Sequence, residues 1–147
     1  MRSPSQAACL ASEPGWEAVI GDDGEEAVGY AYVNTLTADD RWWRRMTTPL
    51  LPGTADRSTV ALKEIMVRQR WRGTGVARRI HDELLAGRPE VQVSLLVNPL
   101  NGNGKVQALY ERWGYRKISA QQPSADGPVL TAMVRATRED AAHPAGA

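Results

Sequence analysis

The stretch "RWRGTGVARRIHDELL", Arg70 to Leu85, places four arginines around two glycines at the point where a helix begins. Upstream, "TVALKEIMV", Thr59 to Val67, is rich in β-branched and long apolar residues and reads as a strand. Downstream, Val76, Ile80 and Leu84 recur every four residues among Arg78, Arg79, Asp82 and Glu83, the pattern of an amphipathic helix that Gly87 and Pro89 stop. The first N–H groups of a helix have no intrahelical acceptor, and the peptide dipoles concentrate positive charge there. Acidic residues usually answer that charge. None occurs between Val67 and His81, while Arg72 and Arg78 bracket the helix start. A bound anion would reverse the sign, and Gly73 and Gly75 let the backbone turn tightly against it without a Cβ in the way.

Known phosphate motifs do not fit. A P-loop needs Gly-Lys-Ser/Thr, which "RGTGVARR" lacks, and Arg78 stands where a GxGxxG fingerprint needs its third glycine. "NGNGK", Asn101 to Lys105, reads as a turn. Taken alone, the arginines could equally form a solvated helix face and the glycines a simple turn.

The rest of the chain supplies a sheet around this unit. "WEAVIG" and "AVGYAYVNTL" flank the turn-rich "DDGEE", so Trp16 to Thr37 reads as a β-hairpin. In the insertion "ADDRWWRRMTTPLLPGTADRS", Asp39 or Asp40 caps a short helix through Met46 before Pro49 and Pro52 break it. "VQVSLLV" is a buried strand, "NPLNGNG" a loop, and "KVQALYERW" a helix with Val106, Leu109, Tyr110 and Trp113 on one face, ended by Gly114. Tyr115–Ser119 and Val129–Val134 read as closing strands. The expected organisation is a loose lead over 1–14, or alternatively a short helix around Gln6–Ala11 there, then one domain over 15–136 and a flexible tail over 137–147. Strands and helices in this order describe a mixed α/β (α+β type) sheet with flanking helices.

Composition narrows the function. With 147 residues, 42% hydrophobic and 24% charged, the chain can build a core, and its formal net charge of +1 offers no global attraction to nucleic acid or membrane. No apolar run reaches bilayer length and the N-terminus lacks a signal core, so the expected location is cytoplasmic. Cys9 is the single cysteine, far from any histidine cluster, and His81 and His143 are too few for a zinc site; no metal is expected. Few aromatics interleave with the Arg68–Arg79 cluster, which speaks against a nucleic-acid binder.

Two blocks together resemble the GNAT family of N-acetyltransferases. Its cofactor motif, Gln/Arg-x-x-Gly-x-Gly/Ala, is matched by Arg72, Gly75 and Ala77; a register on Arg70, Gly73 and Gly75 is the alternative, less well spaced from Val67. The second block, an Asn followed by "ALYExxGF", is matched by "NGKVQALYERWGYRK", with Asn103, Tyr110, Gly114 and Tyr115 in place and Asn101 competing with Asn103. The resemblance implies the acyl-CoA N-acyltransferase fold: a mostly antiparallel sheet with a splayed central strand pair and flanking helices. It covers Val19 to about Val134, and the short lead makes the fold N-terminally abbreviated. A missing first strand would leave the hairpin as an exposed edge, unless a homodimer covers it.

The activity implied by the resemblance is acetyl transfer from acetyl-CoA directly to a primary amine, on a small molecule or a peptide, in a ternary complex. Ile65, Met66 and Val67 would bond the pantetheine arm through their backbone, an N–H near Met66 polarising the thioester carbonyl. Backbone N–H groups of Gly73, Thr74, Gly75, Val76, Ala77 and Arg78 would take the pyrophosphate. Tyr110 is the implied acid for the departing thiolate, with packing against Val106 and Trp113 as its other reading. Glu64 is the nearest candidate base; Lys63 and Glu64 point to opposite faces of the strand, so one of them can be merely solvated. His81 reads as a surface or packing residue, and Trp42 and Trp43 as a wall over the substrate or a hydrophobic plug. The rival function is a non-catalytic CoA-binding or regulatory module.

Overall fold

The computed structural model describes residues 2–5 and 15–138. Seven strands and three α-helices occur among them: β1 Arg2–Ser5, β2 Glu17–Asp22, β3 Ala27–Leu36, α1 Arg41–Arg44, β4 Thr59–Val67, α2 Val76–Ala86, β5 Gln92–Val97, α3 Lys105–Arg112, β6 Arg116–Gln121 and β7 Leu130–Ala136. The chain divides into two compact units, Met1–Thr35 with Val60–Pro89, and Leu36–Thr59 with Glu90–Ala147. No helix among the described residues is long and apolar enough to cross a membrane.

In the first unit the strand order is β1-β2-β3-β4. The hairpin expected over Trp16–Thr37 forms as antiparallel β2 and β3, with Ala18 opposite Tyr32 and Ile20 opposite Tyr30. Its turn is built by acidic side chains: Asp23 accepts from the N–H groups of Glu25 and Glu26, both at 2.9 Å, and Asp22 from Gly24 at 3.1 Å. Strand alternation gives β3 one closely packed face, with Ala31 and Val33 at 0% exposure, and α2 contributes buried Val76, Ile80 and Leu84. Arg88, just past α2, donates to Glu17 at 2.9 Å and to Thr35 at 3.2 Å, tying the helix end to β2 and β3.

The N-terminus differs from expectation. Instead of a loose lead throughout, Arg2–Ser5 forms a strand antiparallel to β2, with Pro4 opposite Val19. The edge of the hairpin is therefore covered by the chain's own first strand, and no second copy is needed to cover it. Proline cannot donate to a ladder and is tolerated on such an edge, which is why periodicity gave no sign of a strand. The helix expected at Gln6–Ala11 lies outside the described residues, as does the tail beyond Arg138.

In the second unit the strand order is β5-β7-β6, with both pairings antiparallel. Helix α1 is shorter than expected and is capped by Asp40, whose carboxylate accepts from the Trp42 N–H at 2.9 Å. The indole N–H of Trp42 donates to Ser94 Oγ at 3.1 Å, Ser94 donates to the Met133 carbonyl at 3.0 Å, and Gln121 donates to the Trp42 carbonyl at 2.6 Å. Helix α3 ends in a Schellman motif: Gly114, at φ 97°, donates to Glu111 at 3.0 Å and Tyr115 donates to Tyr110 at 3.1 Å. That closure folds Tyr115 back beside Tyr110.

Gly29 is where β3 and β4 come closest. A Cβ built there would meet the Met66 carbonyl at 2.5 Å and the Val67 Cα at 3.1 Å, backbone that has nowhere to move. Gly29→Ala is expected to cost about 1–3 kcal/mol in urea unfolding. Gly87→Ala, with nothing near its added methyl, is expected to stay within about 0.5 kcal/mol of the parent. Equal midpoints for the two variants would contradict the packing described.

Candidate functional site

The turn between β4 and α2 is more elaborate than the sequence suggested. Gln69–Trp71 form a short 3₁₀ turn before Gly73 (φ 80°) and Gly75 (φ 88°), both left-handed, lead into α2. Thr74 closes it by donating its hydroxyl to the Trp71 carbonyl. Gly75 is the N-cap residue, so no side chain caps α2 and no acid lies in its first turn. No atom lies within 4 Å of a Cβ built at Gly73 or Gly75. The turn therefore presents backbone to open space.

The arginines divide into two kinds. Arg68 and Arg70 pair with Glu26, and Arg78 with Asp82 at 3.3 Å one helical turn on, so Arg78 is partly neutralised where the sequence left it unanswered. The Arg72 side chain donates to the Val67 carbonyl, at 3.2 Å, and Arg79 makes no ion pair among the described residues. Arg79 instead lines a cavity of about 440 Å³ with Asp22, Asp23 and Trp71. The buried indole N–H of Trp71 has no acceptor among the described residues. Nothing in the sequence pattern marked Trp71, because the 3₁₀ turn that sets its position has no periodic signature.

A second cavity, of about 540 Å³, lies on the same unit, lined by Trp16, Ala18, Ile20, Tyr30 and Tyr32 of the hairpin and by Met66, Val67, Arg68, Gln69 and Arg72. The rings of Trp16 and Tyr32 stand 5.9 Å apart. Glu64, one of the two expected catalytic residues, lies on β4 beside Tyr30. Burial first, and then the charge and hydrogen bonding of Glu64, push the Tyr30 phenol above its ordinary pKa. Of the expected pantetheine contacts, Ile65 and Val67 are half-buried and Met66 is exposed. Lys63 is exposed where Glu64 is half-buried, as strand alternation required.

Tyr110 sits in the second unit, on α3. Its ring makes edge contacts with Trp113 at 5.4 Å and Tyr115 at 5.7 Å. Burial raises its phenol to about 12, so the hydroxyl is a donor throughout the physiological range. No side-chain hydrogen bond engages it among the described residues. The packing role weighed for Tyr110 is thus real, and its hydroxyl is nevertheless uncommitted. Asn103 is exposed, in a left-handed conformation at φ 56° before α3.

Three readings that the sequence left open are resolved. His81 is a packing residue and not a surface one: it is fully buried on α2, with Nδ1 2.8 Å from Asp82. Trp42 and Trp43 are a buried plug, 8% and 7% exposed, and not an open wall. Asp39 accepts from the Thr37 hydroxyl at 2.7 Å and leaves the capping to Asp40. Among the described residues no group of three or more His, Cys, Asp or Glu could hold a metal ion.

Removing the Glu64 charge tests this local electrostatics. With Glu64→Gln the Tyr30 phenol is expected to titrate at lower pH than in the parent, while staying above its ordinary value because burial remains. Tyrosine-selective ¹³C NMR reads it, and an unmoved Tyr30 resonance would separate the two groups.

No family model matches the sequence, and no curated protein matches it. Solved structures do. An acetyltransferase from Thermus thermophilus is 23% identical over 87% of this chain and 68% of its own, with a TM-score of 0.57. Arabidopsis thaliana NAA60, solved with acetyl-CoA, is 17% identical over 83% and 76%, at 0.60. The aminoglycoside N(6')acetyltransferase of Legionella pneumophila is 16% identical over 85% and 65%, also at 0.60. The mixed α/β fold implied by the GNAT resemblance is the fold of this chain, shared with acetyltransferases of known structure.

Proposed function

We propose that the protein is an N-acetyltransferase that moves an acetyl group from acetyl-CoA directly to a primary amine. One observation carries the reading: α2 begins without a cap or an acid, behind two left-handed glycines that open to space, in a fold shared with acetyltransferases. The uncapped N–H groups from Gly73 to Arg78 are suited to a pyrophosphate, and the charges of Arg72 and Arg79 add to the same end of the helix. The register on Arg72, Gly75 and Ala77 is favoured, since Arg70 is already held by Glu26 while Arg72 has no carboxylate partner among the described residues. Backbone groups of Ile65, Met66 and Val67 would hold the pantetheine arm.

Acetyl-CoA supplies an activated thioester, whose C–S bond is exchanged for a C–N bond at the amine. Glu64 takes the proton that the attacking nitrogen must lose, directly or through water. Tyr110 is the donor for the sulfur. With its pKa raised to about 12, the phenol stays protonated as pH rises, so loss of this acid does not limit turnover up to about pH 10, the ordinary tyrosine range. An acid near its ordinary tyrosine value would begin to fail there.

Calorimetric titration with acetyl-CoA, together with thiol release against amines, tests the assignment. Gly75→Asp puts a carboxylate where the pyrophosphate would lie and is expected to weaken acetyl-CoA at least a hundredfold, about 2.7 kcal/mol. Unchanged affinity would remove the cofactor site. Tyr110→Phe is expected to lower kcat about tenfold or more with acetyl-CoA affinity retained; equal turnover would leave Tyr110 a packing residue. Binding without thiol release on any amine would favour the regulatory module.

A further inference from the structure

The 540 Å³ cavity on the hairpin face borders the proposed cofactor site along Met66, Val67 and Arg72, and the rest of its lining, from β2 and β3, is selective. Its volume lies in the range of small-molecule sites, roughly 300–1,000 Å³. The apolar lining is left uncovered: Ile20 is 38% exposed, Tyr30 36% and Met66 48%. These three are among the exposed large apolar side chains of the chain, and they converge on one concavity with Trp16 and Tyr32. Its charged groups are unbalanced. Arg68 and Arg72 are the charged residues of the lining, and the Glu64 carboxylate, just outside it on β4, interacts with the Tyr30 phenol.

Resting on the acetyltransferase reading, the geometry points to this cavity as the acceptor site, and to an acceptor with one ammonium group on a flat apolar or aromatic body. Ring faces of Trp16, Tyr30 and Tyr32 suit both parts, since aromatic faces attract an ammonium and pack against a flat apolar group. Glu64 beside Tyr30 supplies one negative charge, enough for a single ammonium. A polyamine or an aminoglycoside carries several positive charges and would set the others against an apolar wall and against Arg72. Such acceptors need multiple carboxylates, which this lining does not offer. The same Glu64 then receives the nitrogen's proton as the C–N bond forms and the C–S bond breaks.

The test compares 2-phenylethylamine and tryptamine with ethylamine, spermidine, kanamycin and a short peptide with a free N-terminus. Thiol release is measured at saturating acetyl-CoA, and 2-phenylethylamine binding is measured by calorimetry without cofactor. The aromatic monoamines are expected to exceed the others in kcat/KM by at least tenfold. In Ile20→Lys, which adds a cation to the cavity wall, the KM for 2-phenylethylamine is expected to rise at least tenfold while the acetyl-CoA Kd is unchanged. Kanamycin, spermidine or the peptide matching the aromatic amines would overturn the inference, as would an unmoved KM in the Ile20 variant. If acetyl-CoA itself fails to bind, the acetyltransferase reading falls. The calorimetric arm still decides the cavity: 2-phenylethylamine binding weakened by Ile20→Lys supports it, and no binding overturns it.

Discussion

No side chain among the described residues caps the positive end of α2. Helices in proteins satisfy their first N–H groups with a capping side chain or an acidic first turn, and this one has neither. The surrounding structure accentuates the deficit. Glycines at 73 and 75 take left-handed backbone that other residues resist, the 3₁₀ turn over Gln69–Trp71 draws Arg72 back onto the Val67 carbonyl, and Arg79 is left without an ion pair among the described residues. These features contribute little to stability, and the anion proposed to bind the turn would offset them.

Holding that turn requires a rigid approach to it. Strand β4 delivers the chain to Arg68, whose N–H donates to the Val28 carbonyl at 2.8 Å, and the strand lies so close to β3 that only glycine fits at position 29. Arg68 and Arg70 share Glu26, so the arginines nearest the hairpin are spent on fixing the turn. Further along, Arg78 pairs with Asp82, while Arg72 and Arg79 make no ion pair among the described residues. The division of labour follows from where a single glutamate sits.

Much of this was legible in the sequence. Residues with a period, β2, β3, β4, α2 and α3, were readable because burial on one face imposes two- or 3.6-residue repeats. The glycines at 73, 75 and 114 were readable because few other residues take the backbone they adopt. Other features were hidden for physical reasons. Arg2–Ser5 pairs through its backbone, which leaves no side-chain pattern. His81 is buried although polar, because Asp82 beside it meets its ring nitrogen. Trp42 and Trp43, in a proline-rich insertion, could be a wall or a plug, and the long-range bonds of Trp42 with Ser94 and Gln121 show an anchor. The aromatic cavity was also invisible, since its lining comes from alternate positions on separate strands and from a turn.

The account depends on where a phosphate-bearing cofactor touches the chain, and amide NMR reads that directly. On titration of the ¹⁵N-labelled protein with acetyl-CoA, the largest shifts are expected at the backbone amides of Gly73 through Arg79, with Arg72 and Arg79 side-chain signals moving along the same binding curve. Saturable shifts that spare those amides, or none at millimolar acetyl-CoA, would contradict it.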